Sequence, residues 1–168
     1  LRALPEPADG PAAGKPPYAT LASLRCSLGV GACALAAGLV VAASLSAVSG
    51  LIWLPLATVG VLLVCIDALT TWLPLVLTRV LWLATLVAAA AQVLVTDLAQ
   101  RPELALRMGV GAVGVGLFFW AFWWVVGGLG FGDVRLAPVL GATLAAVSWS
   151  AVAYGLLLGT LLGATTGL

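Results

Sequence analysis

Residues 26–66 read CSLGVGACALAAGLVVAASLSAVSGLIWLPLATVGVLLVCI, 41 residues without one charge. A single helix needs about 20 apolar residues to cross the hydrocarbon of a bilayer. The run therefore predicts two membrane spans joined by a tight turn, roughly 27–48 and 51–66, with Ser49-Gly50 as the natural break. It is continuous, non-alternating and rich in Ala, Leu, Val and Gly, which fits helices and not the strands of a barrel.

The whole chain agrees. Of its 168 residues, 63% are hydrophobic and 8% charged, and the mean hydropathy is +1.21. A soluble domain carries about a quarter charged residues, so this chain cannot clothe a surface facing water. The expected fold is all-α: a polytopic transmembrane helical bundle of about six membrane segments, one of them a short helix. The lipid bilayer is thus one partner. The net charge of +1 gives no case for nucleic acid or an acidic partner.

Outward from the opening run, residues 1–25 form a polar, Pro-rich lead-in, with five prolines and four charges in the first 20. After Asp67, Trp72 and Pro74 suit an interfacial turn. A third span follows over 75–95, then a polar loop with Asp97, Arg101, Glu103 and Arg107, then a fourth span over 108–127. The last 33 residues, Leu136 to Leu168, carry no charge and are too long for one ordinary span. They divide near Ser148-Trp149-Ser150 into a short helix and a final span. The chain begins with Leu1 and ends in GATTGL within an apolar stretch, which reads as a fragment with a truncated C-terminal end.

This parse returns the chain to one side of the membrane at both Asp67 and Asp133. The same side collects Arg2, Lys15, Arg25, Arg79 and Arg135, against Arg101 and Arg107 on the other. By the positive-inside rule that side is the cytoplasm.

The chain has six acids. Glu6, Asp9, Asp97 and Glu103 lie in polar sequence; Asp67 and Asp133 stand beside apolar runs. Ionisable groups near hydrocarbon are costly and invite a functional role. A bland account exists for each: Asp67 as a solvated helix-end carboxylate, Asp133 as the N-cap of a helix starting at Val134. Two aspartates close enough to share a proton can instead hold a water between them. One takes a proton from the water and the other gives one to a carbonyl, and their two protons leave in separated steps. Such chemistry needs no cofactor and no metal. The chain has no histidine, which removes the commonest base and ligand. Gly130 and Gly132 would let the backbone approach an extended substrate closely.

GFGDVRL at Gly130–Leu136 resembles the G-x-G-D-basic signature of GxGD intramembrane aspartyl proteases, and within them the type IV prepilin peptidases. Arg135 stands for the usual lysine, and LAPVLGA continues the pattern. CIDALTTWLPLVLT supplies the partner motif: Asp67, then Leu73-Pro74, then Leu77-Thr78. The separation of 66 positions between the aspartates holds two spans, as in that family. The presenilin-like branch fits worse, for no Tyr precedes Asp67 and no Pro-Ala-Leu tripeptide occurs. The resemblance implies a transmembrane aspartyl protease domain over 26–168 in a bacterial plasma membrane, with its active site facing the cytoplasm. Asp67 and Asp133 would be catalytic, and prepilins or prepilin-like proteins its substrates. Two departures stand out. The segment with paired C-x-x-C motifs that often comes first is absent, and Leu75 replaces the asparagine that often follows Leu-Pro.

Arg79 and Arg135 are candidates for an electrostatic or interfacial role near the pair, Arg79 more simply as a snorkelling side chain. On a helix Arg135 and Asp133 would point to different faces. Cys26, Cys33 and Cys65 form no C-x-x-C pair and read as small buried apolar residues. The seven tryptophans read as belt or packing residues. Gly155, Gly159 and Gly163 suggest close helix packing. The rival class is a non-enzymatic helical membrane protein, such as a small transporter with two interfacial carboxylates.

Overall fold

The computed structural model describes residues 18–70, 73–126 and 130–166. Every regular element among them is helical. The chain divides into two compact units, Leu1–Ala88 and Ala89–Leu168.

In the first unit, α1 (Leu24–Ser44) starts where the Ser23 hydroxyl accepts a hydrogen bond from the Cys26 N–H at 3.3 Å. It ends at Leu45, whose backbone is extended. Ser46 then caps α2 (Ala47–Gly50) by accepting from the Ser49 N–H at 3.2 Å. The break thus falls at 45–46, ahead of the expected Ser49-Gly50. The Ser46 hydroxyl supplies the cap, and Gly50 is a buried helical residue beside Val41.

The second span is bent. Its helical stretches Ala47–Trp53 and Leu56–Thr70 meet at 42°, around Pro55, which has no N–H to donate. A π-helical turn, Leu56–Gly60, leads into α3 (Val61–Thr70). The Thr58 hydroxyl donates to the Leu54 carbonyl at 2.7 Å and lies 3.3 Å from that of Pro55, supplying a donor where the helical ladder is interrupted. The helix runs on to Thr70, past the expected end at 66, so Asp67 lies inside its last turn.

Tyr18–Leu21 forms a short 3-10 turn. Tyr18 and Leu21 are buried with Ile66, and Leu62 and Leu77 pack against them. The end of the lead-in is therefore part of the folded unit. Its apolar residues cover α3 and the start of α4 (Leu75–Val95), which coincides with the expected third span. Thr78, Leu81, Thr85 and Gln92 are buried along one face of α4, at the three- and four-residue spacing that a helix brings to one side. Trp72 and residues 1–17, with Arg2 and Lys15, lie outside the described residues.

In the second unit, α5 (Arg101–Val126) begins earlier than expected, and the polar loop shrinks to a turn around Asp97–Gln100. Pro102 and Glu103 suit a helix's first turn. Arg101 closes the end of α4, its guanidinium donating to the carbonyls of Thr96 and Leu94. α5 and α6 (Phe131–Val147) form an antiparallel hairpin. Arg107 donates to the Ala146 carbonyl at 3.0 Å, Gly111 faces Gly141, and Gly116 faces Pro138. A Cβ on Gly111 would overlap the Gly141 carbonyl and the Ala145 methyl, so the two backbones touch. The break at Ser148 is as expected: α6 stops there, and its hydroxyl accepts from the Ala151 N–H at 3.0 Å to start α7 (Trp149–Thr166). Of the suspected glycine stripe, Gly155 packs on Leu144 while Gly159 meets nothing within 4 Å.

α1, α4 and α5 are each long and apolar enough to cross a membrane, and the bent pair makes a fourth. α1 has no buried residue, and Leu24, Leu28, Leu35 and Leu39 are all exposed. An exposed apolar surface of this extent suits lipid and not water. Cys33, expected to be buried, is on that exposed surface; Cys26 and Cys65 are half-buried, and all three are free thiols.

Candidate active site

Asp67 is half-buried in the last turn of α3, the fourth residue from its end. Its neighbour Ile66 is held under Tyr18 and Leu21. Thr70, one turn on, is buried and donates its hydroxyl to the Ile66 carbonyl at 2.8 Å. α3 cannot turn about its axis here without exposing Ile66, so the direction of Asp67 is fixed by apolar packing on the adjacent face. A hollow of about 290 Å³ runs alongside, between Cys26, Ser27 and Val30 of α1 and Leu62, Cys65 and Leu69 of α3. Arg79 is exposed on the second turn of α4.

Asp133 is exposed and is the third residue of α6. The N-cap is Gly130, and α6 starts at Phe131, so Asp133 is not the cap considered from sequence. Its N–H donates to the Gly130 carbonyl at 3.1 Å. Its carboxylate folds back, with Oδ2 only 3.6 Å from where a Cβ on Gly130 would stand. Gly130 itself has φ −64° and ψ 136°, a conformation open to any residue. Glycine there leaves space above the backbone and is not needed for a special torsion. Gly132 lies between Phe131 and Asp133 inside the first turn. The partial positive charge at a helix N-terminus stabilises an anion in the first turn, and the C-terminal end opposes one. Asp133 and Asp67 therefore sit at helix ends of opposite sign.

Arg135 is half-buried, and its guanidinium carbon lies 4.8 Å from the centre of the Phe131 ring, a cation–π distance. The Phe131 ring in turn meets Trp123 of α5 edge-on, centre to centre 5.1 Å. Neither Phe131 nor Trp123 was marked from sequence. The signal lay in the i, i+4 spacing of Phe131 and Arg135, which the glycine motif overshadowed.

Among the described residues no group of three or more His, Cys, Asp or Glu could hold a metal ion. Residues 54–168 match the family model of the type IV leader peptidase family. No curated protein and no solved structure matches the chain.

Proposed function

The chain belongs to the type IV leader peptidase family, and on that premise we propose that it is a membrane-embedded aspartic endopeptidase using Asp67 and Asp133 as a dyad. The observation that carries this is the span of the family match, which begins before Asp67, ends after Asp133 and so takes in both motifs. The family makes the chain a peptidase, and its apolar helices make it a membrane protein. The dyad, the substrate and the membrane face are our reading.

The helix ends favour a division of labour. Asp133, in the first turn of α6, is where a negative charge is stabilised; Asp67, in the last turn of α3, is where one is opposed. Asp133 is then the carboxylate that takes a proton from water as its oxygen attacks the scissile carbonyl. Asp67 is the acid that protonates the carbonyl oxygen. When the tetrahedral intermediate collapses, Asp133 returns its proton to the leaving amine and Asp67 recovers its own from the hydroxyl. The dyad ends as it began, with no metal or cofactor in the cycle. The substrate is a prepilin or prepilin-like protein whose short basic leader is removed at the cytoplasmic face of a bacterial plasma membrane. The positive-inside count of the sequence supports that face.

Asp67→Asn and Asp133→Asn test the dyad. Each is expressed with a prepilin, membrane levels are matched, and the fraction of processed pilin is measured. Each variant should lose at least about a hundredfold in rate, as expected when an acid or base of a dyad is neutralised. Processing by both at the parent's rate would remove the dyad from consideration.

A further inference from the structure

We propose that Tyr18 is a positioning residue for Asp67: with Leu21 it locks Ile66, and so sets the direction in which the last turn of α3 presents the carboxylate; this rests on the dyad reading above. Tyr18 stands well ahead of residue 54, where the family match begins. Three observations carry it. First, the second span bends by 42° around Pro55, and the π-helical turn Leu56–Gly60 separates α3 from the stretch before it. Proline breaks the hydrogen-bond ladder and a π turn changes its spacing, so the facing of the earlier stretch is not carried rigidly into α3. Second, α1 leaves room beside this turn. The hollow of about 290 Å³ lies between Cys26, Ser27 and Val30 of α1 and Leu62, Cys65 and Leu69 of α3, where a close-packed interior would have few voids larger than a water. Third, Leu21 and Ile66 also line that hollow, and there Tyr18, Leu21 and Ile66 form one buried cluster, 3%, 8% and 2% exposed.

The cluster works as a stop. Successive residues of a helix point about 100° apart, so the direction of Asp67 follows that of Ile66 beside it. Rotation of α3 into the hollow draws Ile66 out from under the Tyr18 ring and exposes apolar surface. Leu77, on the first turn of α4, packs against the same cluster. Tyr18 thus ties the last turn of α3 to the first turn of α4. The Thr70 hydroxyl on the Ile66 carbonyl keeps the turn helical around the locked residue. Tyr18 acts on catalysis through Ile66 and not through the substrate.

Two measurements on the full chain test the stop. With Cys26, Cys33 and Cys65 changed to Ser, a spin label is attached at Asp67→Cys in liposomes. Its spectrum should show a restricted component that turns mobile with Tyr18→Ala or Leu21→Ala and is retained with Tyr18→Phe. A label on Cys33 alone, exposed on α1, should keep one spectrum in all of these variants. In the chain with both aspartates, Tyr18→Ala should lower kcat roughly 10- to 100-fold, as misplacement of a reacting group does. KM should change less than about twofold, because binding is untouched. Tyr18→Phe should keep kcat, because the ring is what covers Ile66. An unchanged spectrum at position 67 overturns the stop, as does an equal change at Cys33, which would make Tyr18 a support of the whole unit. A parent-like kcat in Tyr18→Ala while Asp67→Asn is inactive also overturns it and leaves the dyad standing. If Asp67→Asn cuts prepilin at the parent's rate, the dyad reading fails, and the spin labels alone decide whether Tyr18 holds position 67.

Discussion

Replacing Gly111 by alanine adds one methyl group where α5 and α6 meet backbone to backbone. That carbon would stand 2.5 Å from the Gly141 carbonyl oxygen, nearly 1 Å inside the 3.4 Å at which ordinary contact begins, and closer still to the Ala145 methyl. Neither neighbour is the free end of a flexible side chain, so the helices must part. Overpacking of this kind costs about 1–3 kcal/mol. Parting the helices also stretches the 3.0 Å bond from Arg107 to Ala146 and unseats Pro138 from Gly116. Against this, alanine is better than glycine in a helix interior by about 0.5–1 kcal/mol. The net expectation is a loss of about 1–2 kcal/mol. The same helix supplies the control. At Gly109 and Gly114 a Cβ meets nothing within 4 Å, so Gly109→Ala and Gly114→Ala should keep only the gain of about 0.5–1 kcal/mol. Reversible unfolding in mixed micelles, followed by circular dichroism against the mole fraction of denaturing detergent, measures all three. Equal stabilities for Gly111→Ala and Gly109→Ala would refute the backbone contact.

Ile66→Ala should cost about 2–5 kcal/mol, since Ile66 is 2% exposed beneath Tyr18 and Leu21; the same titration measures it, and a cost under half of that range would mean the lead-in does not cover α3. Ser148→Ala should cost about 1 kcal/mol through loss of the α7 cap, with the loss of helicity confined to the C-terminal helix in hydrogen exchange. In a chain whose native cysteines are serine, Asp67→Cys and Asp133→Cys should both react with an impermeant maleimide from the cytoplasmic side; labelling from opposite sides would refute a shared face.

Much of the fold was legible because backbone desolvation is a local constraint. A segment in hydrocarbon must satisfy its own N–H and C=O groups, so apolar length alone placed α4 at 75–95 and the serine pair at 148–150 marked the start of α7. The two aspartates stood out for the same reason, as acids beside charge-free runs, and the family match covers both. The pattern went astray where a neighbour decided. Ser46 and not Ser49-Gly50 ends the first helical run, because its hydroxyl caps α2 and carries Ser49 and Gly50 into a helix. Tyr18 and Leu21 leave the lead-in because Ile66 offers them an apolar partner 45 residues or more along the chain.

Composition and hydropathy by themselves determined that this chain is helical, membrane-bound and marked by two aspartates. They could not tell Gly111 from Gly109 or Gly116 from Gly114, which are alike in sequence. Only the tertiary structure did, since one of each pair faces α6 and the other faces open space. The same holds for Phe131, an ordinary residue between two glycines until Trp123 and Arg135 close on it. Desolvation acts on each segment separately, whereas contact depends on which surfaces the folded chain brings within van der Waals range.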